Sequence, residues 1–430
     1  MTGPTDKGRP VIERGAVGEQ SQPASQEDLV ANDKPAPDKT GNKSKRRRSR
    51  GTTNGRGPQK GAQRGSGTWR GLDQKPSRKT THPVYAALDL GTNNCRLLVA
   101  RPSRRGFLVV DAFSRIIRLG EGVSCSGRLS EAAMERTIEA LQVCSRKMQR
   151  RSVRRSRLIA TQACRIADNA DEFIDRVRLK TGLELEIINQ ETEARLAVSG
   201  CASLLEPEST GALVFDIGGG STELIWLDLR GQEKVNRHSL KDRLAAQSNI
   251  SCWTSLPIGV VTIAEKFGGH DVTPEIFEEM VVYVVGLLSE FEKKNKIAEQ
   301  LDYGKAYLLG TSGTVTTLAG IYLGLPFYDR RKVDGCWLSS VDVRDVSRVL
   351  VKMSYEKRAA QPCIGSDRAD LVLGGCAILE AIMRMWPCER LRVADRGLRE
   401  GILATLMAED NVLQTRQRQR QRSQQNKRGR

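Results

Sequence analysis

Apolar positions along this chain fall into short runs and helical stripes that begin near residue 84 and stop near residue 413. The runs over 84–90, 95–101 and 107–113 have the length and the Val, Leu and Phe content of strands, and short turn-forming pieces join them. A helical stripe follows, with Met134, Ile138, Leu141, Cys144 and Met148 at three- and four-residue spacing behind Ser130, a residue suited to cap the helix. The pattern then predicts a strand over 157–161, a helix over 171–181 and a strand over 185–188. It restarts at Ala212 with a strand to Asp216, a glycine turn, a strand over 223–229 and a later helix capped by Thr273 with Pro274 at its first position. A short buried strand is expected over 307–310, with Thr311-Ser312-Gly313-Thr314 at the mouth of the next helix. Three strands followed by alternating helices and strands, delivered twice, predict an α/β fold of two similar domains facing a cleft. No short-period repeat is present, which argues against a solenoid.

Outside those limits the character of the chain changes. Residues 1–80 are mostly Gly, Pro, Ser, Gln, Lys and Arg with almost no aliphatic periodicity, and disorder is expected there. The 430 residues carry a formal charge of +18, which by itself suggests a nucleic-acid binder. Its distribution says otherwise for the folded part. Residues 1–80 hold 18 Lys/Arg against 8 Asp/Glu and residues 413–430 hold 7 against none, so the body over 81–412 is left near +1. Two functions fit the basic tails: solvated disorder that keeps the protein soluble, or a salt-sensitive tether to RNA, the ribosome or another polyanion. Lys43-Ser44-Lys45-Arg46-Arg47-Arg48-Ser49-Arg50 and the Arg-Gln alternation over 416–422 would contact phosphates without base specificity. Trp69 is the sole tail aromatic, so base stacking is a minor theme.

Ten cysteines are scattered from Cys95 to Cys388 without a C-x-x-C pair, and His82, His238 and His270 sit far apart. That spacing argues against a disulfide framework or a zinc site and fits reduced thiols in a cytosol. The first 40 residues contain seven acidic residues and no apolar core, so no signal peptide is expected; the longest apolar run, over 280–288, is too short to span a bilayer. A cytoplasmic protein without membrane attachment is the expectation.

Two stretches carry the chemistry. Asp89-Leu90-Gly91-Thr92-Asn93-Asn94 and Asp216-Ile217-Gly218-Gly219-Gly220-Ser221-Thr222-Glu223 each close an apolar strand with an aspartate and then turn on glycine. A strand-end Asp offers oxygens to a hard cation, and glycines let successive backbone N–H groups curl around a phosphate. The pair suggests one phosphate site built from two halves.

Five further blocks stand in order with these loops: Ala160-Thr161-Gln162-Ala163-Cys164-Arg165, Ser255-Leu256-Pro257-Ile258-Gly259, Gly310-Thr311-Ser312-Gly313-Thr314, Arg368-Ala369-Asp370 and Asp395-Arg396-Gly397-Leu398-Arg399-Glu400-Gly401. Over about 84–407 the chain resembles the exopolyphosphatase and guanosine pentaphosphate phosphohydrolase family, within the actin, hexokinase and heat-shock ATPase superfamily. The resemblance implies two actin-like (ribonuclease H-like) domains facing an interdomain cleft, flanked by disordered basic tails at 1–80 and 413–430. Domain I would cover 81–203, completed by a returning helix near 397–408, and domain II would cover 204–396. The chain looks like the short two-domain form of the family.

The same resemblance implies that water cuts the terminal phosphoanhydride of inorganic polyphosphate or guanosine pentaphosphate. In Ile188-Asn189-Gln190-Glu191-Thr192-Glu193-Ala194-Arg195-Leu196 the glutamate before Ala-Arg is Glu193, which takes the general-base role, with Glu223 as a second carboxylate that positions water or metal. Magnesium, or another divalent cation, would sit at Asp89 and Asp216. Phosphate oxygens would be cradled by Gly91, Thr92, Asn93 and Asn94, by Gly218, Gly219, Gly220 and Ser221, and by Thr311, Ser312, Gly313 and Thr314, while Arg96 and Arg165 neutralise charge. Asn94, Thr192 and Gln190 depart from the family pattern and bear on substrate choice and rate. Each residue has a plainer alternative: a D-x-G turn is usually an ordinary loop, Glu191 and Glu193 would suit a helix N-terminus, Arg165 would suit a surface ion pair, and Cys95 would suit simple packing. An ATP-using kinase or ATPase of the superfamily and a non-catalytic polyanion-binding regulator are the competing functions, and a homodimer is the prior for oligomeric state.

Overall fold

Two sheets are assembled to one plan in this computed structural model, which describes residues 82–410 apart from 104–105, 232–239 and 303. The first holds β1 (Val84–Leu90), β2 (Asn94–Ser103), β3 (Gly106–Ile116), β4 (Val153–Ala160) and β5 (Glu186–Ile187) in the order β3-β2-β1-β4-β5. β1, β2 and β3 form an antiparallel meander, and β4 and β5 continue it in parallel. The second sheet repeats this with β6 (Gly211–Ile217), β7 (Thr222–Asp228), β8 (Ile250–Leu256), β9 (Ala306–Gly310) and β11 (Arg390–Val393), and adds the antiparallel strand β10 (Trp337–Ser339) at its edge. The fold is α/β, with two actin-like domains. The described residues belong to one compact unit.

The central strands β1 and β6 are continuous apolar runs because both of their faces are covered. Tyr85 to Leu88 and Ala212 to Phe215 are fully buried. Parallel pairing of β1 with β4 and of β6 with β9 needs a long crossover, and a helix supplies it in each domain. Glu131–Arg150 is capped as expected, with Ser130 Oγ accepting from the Ala133 amide at 3.2 Å, and it buries Met134, Ile138, Leu141, Cys144 and Met148. Pro274–Asn295 starts on Thr273, whose Oγ1 accepts from the Ile276 amide at 3.3 Å.

Two further helices cross between the sheets. Gln190–Cys201 lays Ala194, Val198 and Cys201 against Ala212, Val214 and Ile225 of the second sheet, although it follows the last strand of the first. Leu398–Glu409 packs Ile402, Leu403 and Met407 against Tyr85, Ala87 and Leu98 of the first sheet. The crossing admits no side chain: a Cβ on Gly200 would lie 1.8 Å from the Gly397 carbonyl oxygen, and one on Gly401 would lie 2.1 Å from that of Leu196. The N-terminus of the second crossing helix is fixed by Glu400, which accepts from the Gly397 amide at 3.0 Å and from Arg330 at 2.9 Å. Burial pushes the Glu400 carboxyl up, but Arg399 and Arg330 outweigh it and hold the group below the usual carboxylate range.

β4 begins at Val153, four residues before the expected start, because its first half is a half-exposed stretch of arginines with no apolar signature. The expected disordered tails over 1–80 and 413–430, with their basic blocks and Trp69, lie outside the described residues. Among the described residues no helix is long and apolar enough to cross a membrane.

Candidate active site

The β1–β2 and β6–β7 hairpins present the two glycine turns to one cleft, and their backbones match. In the first, Asp89 pairs with Arg96 and the Gly91 amide donates to the Asn94 carbonyl at 2.9 Å. In the second, Asp216 pairs with Glu223 and the Gly218 amide donates to the Ser221 carbonyl at 2.9 Å. Gly91 and Gly218 were expected to offer their amides to phosphate; the structure instead commits both to closing the turn. Nor does any glycine of the two loops adopt a left-handed φ. Close approach is what demands glycine here. A Cβ on Gly219 would stand 2.9 Å from Thr92 Cβ and 3.1 Å from the Asn93 nitrogen, and one on Gly220 would stand 2.9 Å from Thr92 Oγ1. The two halves of the site therefore touch directly.

Both loops are braced from behind through their carbonyls. The Ile117 and Arg118 amides donate to the Asn93 carbonyl at 2.9 and 3.1 Å, and the Gly120 amide donates to that of Thr92 at 2.9 Å. The Val260 and Val261 amides donate to the carbonyls of Gly218 and Gly219 at 3.0 and 2.8 Å. With the carbonyls occupied, the amides of Thr92, Asn93, Gly219 and Gly220 have no backbone acceptor among the described residues. Asn93 adds a side-chain Oδ1 that is buried and without a hydrogen-bond partner.

Four carboxylates line the same cleft: Asp89, Glu193, Asp216 and Glu223. Glu193 lies in the first turn of the Gln190–Cys201 helix, which is capped by Asn189 Oδ1 accepting from the Thr192 amide at 2.8 Å. Arg165 donates to Glu193 Oε2 at 3.0 Å and is itself held by the Ile188 carbonyl at 2.8 Å and by Gln162 Oε1 at 2.7 Å. Burial, reinforced by Glu223, pushes the Glu193 carboxyl well up against the opposing pull of Arg165. Glu223 accepts from Ser255 Oγ at 2.8 Å, and burial together with Asp216 raises it to about 7. Asp89 and Asp216 are both pushed up by burial; Arg96 and Arg399 offset this at each, while Asp89 repels Asp216.

Of the expected site residues, all but Arg165, Thr311 and Ser312 line the cleft. Arg165, expected on phosphate, is absent from the cleft wall, and its guanidinium is engaged by Glu193, Ile188 and Gln162. Thr311 donates to the Phe215 carbonyl from its hydroxyl at 3.4 Å and from its amide at 2.9 Å, and it pulls the Asp216 carboxyl down against burial. Ser312 caps the Gly313–Tyr322 helix, its Oγ accepting from the Val315 amide at 3.4 Å. Thr161, Arg368 and Leu398 also form part of the wall and had no assigned role. Arg368 and Arg399 stand in blocks whose order was recognised but whose side chains had no spacing signal pointing to the loops. Burial pushes both guanidinium groups down, and Arg96 repels each.

The donor set fits a hard dication. Two buried carboxylates that repel one another, Asp89 and Asp216, would be relieved by one. Among the described residues no three His, Cys, Asp or Glu side chains cluster as metal ligands, so the other ligands would be water and substrate oxygens, as Mg2+ favours.

A pair of domains whose glycine hairpins meet over carboxylates and arginines defines a protein of the actin-like fold class. Within that class the chain belongs to the Ppx/GppA phosphatase family, whose model matches residues 98–410. It is 29% identical over 310 residues to the bifunctional 3-dehydroquinate synthase/phosphatase of Fusobacterium nucleatum, covering 70% of this chain and 43% of that protein. It is 28% identical over 340 residues to the guanosine-5'-triphosphate,3'-diphosphate pyrophosphatase of Aeromonas salmonicida, covering 78% of this chain and 62% of that one. The chain thus spans 43% to 62% of the length of these curated relatives. The crystal structure of the Aquifex aeolicus Ppx/GppA family member is similar to it with a TM-score of 0.61 and 29% identity, covering 76% of this chain and 99% of that one.

Proposed function

We propose that this protein hydrolyses the terminal phosphoanhydride of inorganic polyphosphate or guanosine pentaphosphate and releases orthophosphate. The observation that carries this is the meeting of the two hairpins, whose unpaired amides face a cleft that also holds Glu193. Family membership supports it, as does the similarity to a relative named for action on guanosine-5'-triphosphate,3'-diphosphate.

A phosphoanhydride end carries about one negative charge per phosphorus, and its transition state spreads charge over the equatorial oxygens. The amides of Thr92, Asn93, Gly219 and Gly220 bind those oxygens, and Arg96 and Arg368 offset their charge. Gly313 and Thr314, at the N-terminus of the Gly313–Tyr322 helix, add a third source of amides. Glu193 orients a water and accepts its proton as the water oxygen bonds to the terminal phosphorus and the bridging P–O bond breaks. Arg165 engages Glu193 Oε2, and Oε1 is assigned to the water. Burial makes Glu193 a stronger base than an exposed carboxylate, while Arg165 opposes its premature protonation. The charge of Glu223 adds to the burial that raises Glu193, so the protonation of Glu223 bears on the strength of the base. Mg2+ held by Asp89 and Asp216 would supply positive charge to the phosphate oxygens.

Phosphate release in the presence of Mg2+, measured in parallel on medium-chain polyphosphate and guanosine pentaphosphate, tests the proposal. Release from at least one is expected. No release from either above a Glu193→Gln control overturns it.

A further inference from the structure

Behind the loops, the segment over 117–124 forms a ring of contacts that the hydrolytic chemistry does not use. It begins on the first loop, through the Ile117, Arg118 and Gly120 amides described above. It ends on the other domain, where the Gly122 amide donates to Glu265 Oε1 at 2.8 Å and Ser124 Oγ donates to Glu265 Oε2. Glu265 belongs to the Val260–Phe267 helix, the element whose first amides brace Gly218 and Gly219.

Arg118 stands at the centre of this ring. Its φ of 46° is left-handed, a region a non-glycine residue enters only when its surroundings hold it there. Its amide donates to Asn93 and its carbonyl accepts from Arg136 Nη2 at 3.3 Å. Its guanidinium reaches the other domain as a fork: Nη1 lies 2.9 Å from Asp370 Oδ2, and Nη2 lies 3.1 Å from Asp370 Oδ1 and 3.1 Å from the Asp367 carbonyl. Asp370 follows the single helical turn Ser366–Arg368 by two residues, and Arg368 lines the cleft. The backbone of Asp370 rests on its own domain, so close to Gly269 that a Cβ there would lie 2.1 Å from the Asp370 carbonyl oxygen. One residue thus bonds the first phosphate loop with its backbone and the turn that carries Arg368 with its side chain.

We propose that Arg118 is a positioning residue that, through its bidentate pair with Asp370, sets Arg368 against the phosphate chain held by the two loops. The substrate class rests on the function proposed above. The pair is half-buried, with side-chain exposures of 32% and 21%, and the fork gives it directional stiffness that a single point contact lacks.

The test uses the full chain and three variants, Arg118→Gln, Asp370→Asn and the double substitution. Two quantities are measured on each: kcat/KM for phosphate release from polyphosphate and guanosine pentaphosphate, and the Kd for tripolyphosphate by calorimetry. Each single variant is expected to lose about tenfold or more in kcat/KM and to bind tripolyphosphate about tenfold more weakly, with a thermal midpoint within about 4 °C of the parent. The double variant is expected to be no worse than the worse single, because both substitutions break one contact. Single variants within twofold of the parent in both quantities, or a double loss equal to the product of the singles, overturn the proposal. If Arg118→Gln fails to fold, Asp370→Asn carries the same readout, since it leaves the left-handed backbone untouched. A parent that binds tripolyphosphate with the expected variant pattern but releases no phosphate overturns the hydrolytic function and leaves the clamp standing. A parent that neither binds nor hydrolyses overturns both.

Discussion

Across the first hairpin Asp89 faces Arg96; across the second, closed by the same 2.9 Å turn bond, Asp216 faces Glu223. The backbone plan is duplicated, and the difference lies in the residue that opposes each aspartate. On one side a cation partly offsets the burial of its aspartate. On the other the opposing residue is itself a carboxylate, and burial with Asp216 raises Glu223 to about 7, although Arg96 also reaches Asp216. A repeated frame thus supplies two equivalent positions, one basic and one acidic, which the proposed function uses for phosphate oxygens and for water.

The contrast breaks most severely if the halves are forced apart. Gly219→Val would place methyl groups where Thr92 and Asn93 already stand, and phosphate release is expected to fall by about two to three orders of magnitude with a stability loss of about 1–3 kcal/mol. Circular dichroism alongside the rate separates misplacement from unfolding. Arg96→Gln removes the cationic side of the contrast, and kcat/KM should fall about a hundredfold. Its loss also lets the Asp89 carboxyl rise further, so the acid limb of the pH–rate profile should move to higher pH.

Glu223→Gln removes the acidic side at a smaller expected loss of about tenfold. Its clearer signature is in stability. A carboxyl raised from the ordinary 4.5 to about 7 contributes stability that is complete below 4.5 and lost as pH rises through about 7. The Gln variant lacks that loss, so its thermal midpoint should gain on the parent's between pH 5 and 8; a constant offset across that range would show that Glu223 is not so raised. The smallest effect is expected outside both halves. The 81–412 fragment should release phosphate from short substrates within about twofold of the full chain, because the near-neutral body holds every cleft residue.

What the sequence made legible is local. A strand ending in aspartate, a glycine turn, and caps at Ser130 and Thr273 are each written within a few residues, and the structure has them there. Contacts made at long range were not legible. Arg165 lies 28 residues from the Glu193 it holds, and nothing in its own segment distinguishes that partner from a phosphate. The brace from Gly120 to Thr92 and the crossing of Gly200 on Gly397 depend on where whole elements pack. The marginal strands β8, β10 and β11 were missed because the last two, of three and four residues, are too short for alternation to show, and the seven residues of β8 are partly exposed along most of their length. The glycines of the loops were recognised for conformational freedom, whereas packing between the loops is what requires them.

The central claim, that the paired loops hold the phosphate chain while Glu193 takes the proton of the water, is tested most directly by single-turnover phosphate release from Glu193→Gln under Mg2+, with tripolyphosphate affinity measured on the same sample. The account predicts release slowed by at least about a hundredfold while affinity stays within about threefold of the parent. Release at the parental rate, or a loss of affinity that accounts for the whole slowing, would contradict it.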